Sequence, residues 1–179
     1  MFIMSFFCSL EDYIFSVLRE RGYYVCRNCY VYFGGACEYV STVNCYKCEP
    51  EDFHRVIEEL VLGLGPFVYG GKQQCQYEID VVGYYGGMWY IVEVKDYSQP
   101  VPCHLICYHY ARASHFAQRA AQRAQVWYPV YATTSWYESH QCNCGAFTVE
   151  VRYWRHAGTH CGYSVSLYKL VEYGKPYYV

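Results

Sequence analysis

The sequence predicts a mixed α/β protein, and three features of its apolar spacing lead to that fold class. Across residues 51–134 the spacing follows the order helix, strand, strand, strand, helix, strand. Two of these strands are joined by a tight turn, Tyr84-Tyr85-Gly86-Gly87, as in a hairpin. The tail then holds two alternating stretches, residues 146–155 and 163–173, which predict another hairpin.

The composition is that of a globular chain with a core of its own. Its 179 residues, 21.1 kDa, fit one domain with a small appendage. The apolar fraction of 54% is inflated by 24 tyrosines and 12 cysteines, yet the remaining aliphatic residues exclude a disordered chain. No fixed period runs through the sequence, which excludes collagen-like and coiled-coil chains. The net charge of −2 predicts little global attraction to nucleic acid.

The N-terminal apolar stretch, residues 1–10, does not predict a membrane segment. It is about half the length of a bilayer span and runs directly into Glu11 and Asp12. It also lacks the basic start and the small-residue cleavage site of a signal peptide. We therefore expect a soluble cytoplasmic protein without a membrane partner.

Residues 1–50 are predicted to form an N-terminal helix followed by a cysteine-rich module. Helical spacing covers residues 10–21, and Gly22 provides a stop. Residues 23–50 change character, with five cysteines and many aromatic β-formers around a Gly34-Gly35 turn. The apolar side chains that share one face of the helix are Leu10, Ile14, Val17 and Leu18.

Residues 51–134 are predicted to form the core, and residues 135–179 a C-terminal β-hairpin extension of it. The first core helix opens after Pro50, and its apolar face consists of Phe53, Val56, Ile57, Leu60 and Val61. The second is expected at residues 104–125, which are rich in Ala, Arg and Gln and lack Gly and Pro. Strands are expected at residues 67–69, 76–83, 88–95 and 126–133.

Acidic residues and a lysine occupy corresponding positions on the two hairpin strands. If the turn sets Gly83 opposite Met88, alternation places four charged side chains on one face of the sheet: Glu78, Asp80, Glu93 and Lys95. Three facing carboxylates repel unless a cation neutralises them, and all-oxygen ligands favour Mg²⁺ or Mn²⁺. The alternative is a solvated polar face with cross-strand ion pairs.

The segments EIDVVG (78–83) and YIVEVKD (90–96) resemble the PD-(D/E)XK nucleases of the restriction-endonuclease-like superfamily. The resemblance implies an αβββαβ core with a mixed sheet, in which Asp80 and Glu93 bind metal and Lys95 is the catalytic lysine. It also implies a Mg²⁺-dependent deoxyribonuclease that hydrolyses DNA phosphodiester bonds through an activated water, and a homodimer as its assembly.

Members of that superfamily also carry a glutamate on the first core helix, and two candidates exist here. His54 and Glu58 are one helical turn apart and resemble the H-x-x-x-E motif of the RecB-like branch. Glu11 is the alternative, because residues 10–25 resemble the first helix of archaeal Holliday-junction resolvases. His54 as a metal ligand and Glu58 as a catalytic residue are preferred, since they keep the core contiguous.

The cysteine spacing predicts a structural zinc site outside the core. Two C-x2-C pairs separated by fifteen residues match a tetrahedral ligand set: Cys26, Cys29, Cys45 and Cys48. Two disulfides or unrelated buried thiols are the alternatives. Disulfides would suit a hyperthermophile, and the composition leans toward an archaeon or an archaeal virus in its host's cytoplasm.

The remaining cysteines are less informative. A C-terminal group, His140, Cys142, Cys144, His156, His160 and Cys161, is compatible with a metal site, disulfides or coincidence. Cys103 and Cys107 lie one helical turn apart and are interpreted as packed thiols.

Basic residues on the second core helix are candidates for DNA contacts. Near one face lie Arg112, His115, Arg119 and Arg123, which either meet phosphates or are merely solvated. The leading hypothesis is thus a Mg²⁺-dependent deoxyribonuclease with a zinc-stabilised module. The alternative is a non-catalytic zinc-ribbon protein, on a nuclease-like fold, that binds DNA or assists assembly.

Overall fold

A computed structural model describes residues 9–94, 101–120, 124–132, 139–145 and 147–172. Helices and strands are both present in this part of the chain, which confirms the α/β class. The helices are α1 (Leu10–Glu20), α2 (Phe53–Val61) and α3 (Cys103–Phe116). The strands are β1 (Tyr24–Gly34), β2 (Tyr39–Glu49), β3 (Phe67–Tyr69), β4 (Lys72–Gln74), β5 (Gln76–Tyr85), β6 (Met88–Val92), β7 (Ala124–Ala132), β8 (Ser139–Asn143), β9 (Thr148–His160) and β10 (Tyr163–Glu172).

Eight of these strands form one sheet in the order β2-β1-β5-β6-β7-β10-β9-β8. The β6–β7 pair is parallel, and every other neighbouring pair is antiparallel. Helix α3 supplies the crossover that the parallel pair requires. Strands β3 and β4 pair with each other in a separate two-stranded sheet.

Helix α1 covers one face of the main sheet. It begins at an N-cap, Ser9, whose hydroxyl accepts a hydrogen bond from Asp12 N at 3.0 Å. Glu11 and Asp12 in its first turn interact favourably with the helix dipole. The buried residues in this layer are Leu10, Ile14, Phe15, Leu18, Val25, Val81 and Val92.

Helices α2 and α3 cover the opposite face, where the larger apolar cluster lies. Val82 and Ile91 belong to that cluster, whereas their neighbours Val81 and Val92 face α1. Because successive strand residues point to opposite faces, the sheet lies between the two helical layers. Fully or nearly fully buried members from the helices are Phe53, Ile57, Ile106, Ala113 and Phe116.

The helices and strands predicted across residues 51–134 are present, but β3 lies outside the eight-stranded sheet. The sheet neighbour of β5 is β1. The elements that follow the predicted order around the main sheet are therefore α1, β1, β5, β6, α3 and β7, with residues 35–75 inserted between β1 and β5. Sequence contiguity was misleading because this insertion contains its own helix and strands.

The β5–β6 hairpin has a tighter turn than expected. Gly83 pairs with Tyr90 rather than with Met88, and Tyr85 pairs with Met88. Gly86 and Gly87, with φ of 58° and 81°, form a two-residue turn in which both central residues have positive φ. The register is shifted by two residues, so the predicted face of each side chain is retained.

The C-terminal hairpin is present as β9 and β10, and β10 joins it to the sheet through β7. Helix α3, expected to reach residue 125, ends at Phe116. Its Ala-, Arg- and Gln-rich continuation favours helix by propensity, but parallel pairing of β7 with β6 requires an extended chain from Ala124.

Candidate functional site

Asp80 and Glu93 lie side by side at the end of the central hairpin. Asp80 is part of β5, and Glu93 directly follows β6. The register that pairs Val81 with Val92 sets them opposite each other. Their carboxyl groups share a hydrogen bond, and Asp80 Oδ2 accepts another from Val94 N at 2.9 Å. Two of the residues expected to bind Mg²⁺ or Mn²⁺, Asp80 and Glu93, are thus in direct contact.

Burial prevents both carboxyl groups from being charged together. Burial and the adjacent Glu93 carboxylate raise the pKa of Asp80 to about 9. Burial also acts to raise the pKa of Glu93, but His109, Arg112 and the Asp80 hydrogen bond outweigh it and hold that pKa below its usual value. At neutral pH Asp80 therefore keeps its proton and donates it to the Glu93 carboxylate.

Helix α3 supplies the positive charge that faces Glu93. Arg112 Nη2 lies 3.0 Å from Glu93 Oε2, and Nη1 of the same side chain donates to Glu78 O at 2.9 Å. His109, fully buried one turn earlier, adds to the favourable electrostatic environment of Glu93. Arg112 was expected on an exposed stripe, but it is 8% exposed and belongs to the interior of this site.

Glu11, at the start of α1, is the third carboxylate of the site. Asn28 Nδ2 donates to Glu11 Oε1 at 2.7 Å and to Glu78 Oε2 at 2.9 Å. Asn28 has φ of 51°, which takes it out of the regular β1 ladder. Burial raises the pKa of Glu11, and its charge in turn contributes to the raised pKa of Asp80. One amide thus holds two of the acidic side chains together.

The preferred first-helix pair, His54 and Glu58, lies elsewhere. His54 Nδ1 is 3.4 Å from Glu58 Oε1, and its Nε2 is 3.2 Å from Val43 O on β2. His54 also lines a surface pocket of about 340 Å³ together with Cys45 and Cys48. The described contacts of this pair therefore join α2 to β2, whereas Glu11 reaches the Asp80 site.

The other predicted basic residues do not form an exposed stripe in the described part of the chain. His115 is 9% exposed and lies inside the core. Arg119 follows α3 and donates through Nη1 to Glu59 O at 3.1 Å. Lys95 and Arg123 lie outside the described residues.

The four cysteines expected to bind zinc form two disulfides. Cys26 pairs with Cys48 and Cys29 with Cys45, with Cα–Cα distances of 4.1 and 4.0 Å. Each C-x2-C runs along one strand and bonds across the β1–β2 hairpin, so the two knuckles of a zinc ribbon are absent from this hairpin. Disulfide sulfurs are not thiolates, so this state of the chain offers zinc no ligands here.

Further disulfides connect the rest of the described chain. They are Cys37–Cys75, Cys103–Cys142 and Cys107–Cys144, and Cys161 is also disulfide-bonded. Cys103 and Cys107, interpreted as packed thiols, are thus cross-linked to β8 and to the residue that follows it. Multiple disulfides favour an oxidising environment over the expected cytoplasm. No helix within the described ranges is long and apolar enough to cross a membrane.

No family model, curated protein or solved structure matches this chain. The chemistry of the site must therefore carry the functional argument.

The acidic site offers two adjacent hard oxygen ligands rather than a compact triad. Among the described residues, the groups with three donor atoms within 4.8 Å of one another are Cys26-Cys29-Cys45 and Cys103-His140-Cys142. Mg²⁺ is commonly held by one or two carboxylates, and waters and substrate phosphates complete its shell. Asp80 and Glu93 fit that pattern, because a dication can take the place of their shared proton.

Asn28 was not predicted as a site residue, and Arg112 was predicted on an outer face of its helix, although it is buried. A lone asparagine in an aromatic strand carries no recognisable signal. Arg112 did carry a recognisable signal. An arginine on a helix that crosses over a sheet with acidic residues can form an ion pair with that sheet as readily as it can face solvent. Glu11 was recognised only as an alternative, by its position in the first helix.

Proposed function

We propose that the chain is a metal-dependent nuclease that hydrolyses DNA phosphodiester bonds at the Asp80–Glu93 site. The observation that carries the proposal is the shared hydrogen bond between these two carboxyl groups on adjacent strands. Two acidic groups forced together in the interior are costly for folding, and such pairs cluster at functional sites.

The topology supports the same proposal. The order α1, β1, β5, β6, α3, β7 is the αβββαβ order implied by the resemblance of residues 78–96 to PD-(D/E)XK nucleases. In this assignment Glu11 provides the first-helix glutamate instead of Glu58. Residues 35–75, which include β2, α2, β3 and β4, are then an insertion into a restriction-endonuclease-like core.

The residues of the chain take distinct roles in the proposed reaction. Asp80 and Glu93 would hold the cation, and Glu11 adds negative charge that acts on Asp80. Arg112 orients Glu93 through a bond at 3.0 Å, and Asn28 spaces Glu11 from Glu78. Lys95 is assigned to the attacking water on the resemblance alone. A bound Mg²⁺ or Mn²⁺ supplies Lewis-acid activation of that water and neutralises phosphate charge.

A non-catalytic DNA-binding or assembly protein is the second candidate, and the Arg112–Glu93 ion pair favours it. Arg112 neutralises Glu93 from within the protein, which lowers the need for a cation. In that case the acidic site is a structural junction between α3 and the sheet. Cation binding and strand cleavage separate the two candidates.

The test is a nicking assay on supercoiled DNA with Mg²⁺ or Mn²⁺. We expect the wild type to nick the DNA, and Asp80→Asn, Glu93→Gln and Lys95→Ala to abolish nicking. Glu11→Gln should reduce it strongly, whereas Glu58→Gln is the matched control on α2 and should retain it. No nicking by wild type under any divalent cation, or nicking that survives Asp80→Asn, would exclude the nuclease assignment.

We propose that structural zinc binds in the β1–β2 hairpin only when its two disulfides are reduced. The ligands would be Cys26, Cys29, Cys45 and Cys48. The sulfurs of Cys26, Cys29 and Cys45 lie within 4.8 Å of one another, so these cysteines could share a metal once reduced. Metal analysis of reduced and non-reduced protein tests this directly. Zinc in the non-reduced protein at these positions would contradict the disulfide pairing.

A further inference from the structure

Two disulfides fasten the start of α3 to the C-terminal part of the sheet. Cys103, the first residue of α3, bonds to Cys142 on β8, and Cys107 bonds to Cys144 just beyond that strand. Their Cα–Cα distances are 5.3 and 5.5 Å. His140 lies two residues before Cys142, so both side chains point to the same side of β8.

The His140 ring lies against the first of these disulfides. A ring nitrogen of His140 and the sulfurs of Cys103 and Cys142 all lie within 4.8 Å of one another. Cys142 is fully buried, whereas Cys103 and His140 are half-buried and accessible from outside. A soft sulfur pair with an imidazole beside it is a ligand set that zinc prefers.

We propose that Cys103, Cys142 and His140 form a zinc site that is masked by the Cys103–Cys142 disulfide and assembled when that bond is reduced. This site is independent of the proposed nuclease activity. In tetrahedral zinc sites the thiolates lie about 2.3 Å and the imidazole nitrogen about 2.0 Å from the metal. The thiolates and imidazole of such a site are about 3.5–4 Å apart, and the three donor atoms here already lie within 4.8 Å of one another. Three protein ligands would leave the fourth position to water.

An external dithiol is the reductant that opens the Cys103–Cys142 disulfide. The dithiol reduces the Cys103–Cys142 bond by two electrons, becomes a cyclic disulfide itself and leaves two protein thiols. Zinc binding then releases the two thiol protons, and neutral His140 contributes its lone pair. Reoxidation by a small disulfide reverses the sequence and expels the metal.

The consequence is that α3 stays anchored to β8 in both redox states. Helix α3 carries His109 and Arg112, which set the charge environment of Glu93. Loss of both disulfides without a replacement would free the start of this helix. A zinc ion bound by Cys103 and Cys142 would replace the disulfide as the link between α3 and β8.

The test is site-resolved thiol protection in the full-length chain. The protein is reduced with a dithiol and, after the reductant is removed, incubated with Zn²⁺ or with a chelator. It is then alkylated, and each cysteine is quantified by peptide mass spectrometry. We expect Zn²⁺ to lower the labelling of Cys103 and Cys142 several-fold in the wild type and to leave it unchanged in His140→Gln.

The matched control is His104→Gln, which removes the exposed histidine next to Cys103 and should keep the protection. Oxidised His140→Gln should have the same melting temperature as the oxidised wild type, because its disulfides are intact. Equal labelling with and without zinc would overturn the proposal, whether or not the reduced chain stays folded. Protection that persists in His140→Gln, or that disappears in His104→Gln, would overturn the assignment of His140.

Discussion

Arg112 Nη2 lies 3.0 Å from Glu93 Oε2 in the interior, where the two side chains are 10% and 7% exposed. The same guanidinium donates to Glu78 O and lies 4.5 Å from the centre of the Tyr108 ring. Arg112 thus links α3 to β5 and to the end of β6. Removing one member of a buried pair leaves the other charge without compensation.

Arg112→Met is therefore expected to lower the free energy of unfolding by about 3–5 kcal/mol. Urea denaturation followed by circular dichroism measures the change. The matched control is Arg152→Met, which removes an exposed arginine that pairs with Glu150 at 3.1 Å. An exposed pair contributes less than about 1 kcal/mol, so equal costs for the two variants would contradict the buried ion pair.

Stability without divalent cations should fall as the pH rises, because of Asp80. Its pKa is about 9 in the folded chain and near 3.8 in the unfolded chain. The stabilisation that the bound proton provides is complete below pH 3.8 and is lost as the pH rises through about 9. In Asp80→Asn the side chain at this position stays neutral at every pH. The free energy of unfolding of this variant should therefore decline less between these pH values than that of the wild type.

Urea denaturation in chelator between about pH 5 and pH 9 measures this difference. Glu58→Gln is the control, since it removes a carboxylate on α2 that pairs with His54, and it should keep the wild-type slope. A wild-type slope in Asp80→Asn would show that Asp80 does not hold the proton.

Asn28→Gly should weaken cation binding without unfolding β1. Glycine tolerates the φ of 51° that Asn28 adopts, but it leaves Glu11 and Glu78 without their shared donor. Groups that hold metal ligands directly typically contribute roughly 10–100-fold to metal affinity. Asn28 holds Glu11 and Glu78, which are not assigned as ligands, so we expect a loss of Mn²⁺ affinity at or below the lower end of that range. Titration followed by electron paramagnetic resonance measures it. Asn44→Gly, on the exposed face of β2, is the control and should bind Mn²⁺ like the wild type.

That Asp80 and Glu93 share one face of the sheet could be predicted from sequence, because it depends only on local alternation. Their direct pairing could not, because it depends on the turn, and the expected register was two residues off. A tight turn and two apolar-flanked strands place the acidic residues on one face, and a register error of two residues leaves that face unchanged. Glu11 could not be ranked first in the same way. Its position depends on the long-range pairing of β1 with β5, across an insertion that itself resembles the start of a core.

The cysteine pairing was open for a different reason. Two C-x2-C motifs on antiparallel strands bring the first cysteine of one opposite the second cysteine of the other. The same spacing fits two zinc knuckles, and only the hairpin register distinguishes the two outcomes. In a regular strand Cys26 and Cys29 would face opposite sides, but the positive φ of Asn28 lets both be fully buried.

Non-reduced peptide mapping should recover Cys26–Cys48 and Cys29–Cys45 as cross-linked peptides from protein purified without reductant. The Cys29–Cys45 bond closes a loop with a sequence separation of 16. Cys29→Ala/Cys45→Ala should therefore lower the free energy of unfolding by about 3 kcal/mol. Recovery of free, alkylatable thiols at these four positions would contradict the pairing.

A second pH dependence, opposite in sign, should come from His115. Its Nδ1 lies 2.6 Å from Tyr77 Oη, and its Nε2 lies 2.8 Å from Gly65 O, so a neutral ring with hydrogen on Nε2 satisfies both contacts. Burial lowers the pKa of His115 below the 6.5 of the unfolded chain, although the Gly65 hydrogen bond opposes it. As the pH falls through 6.5, the unfolded chain binds a proton at His115 and the folded chain does not, so the free energy of unfolding decreases.

Urea denaturation across this acidic range measures the effect. His115→Gln should reduce the loss of stability below pH 6.5, whereas His104→Gln, at an exposed position of α3, should keep it. An unchanged loss of stability in His115→Gln would mean that another group controls it.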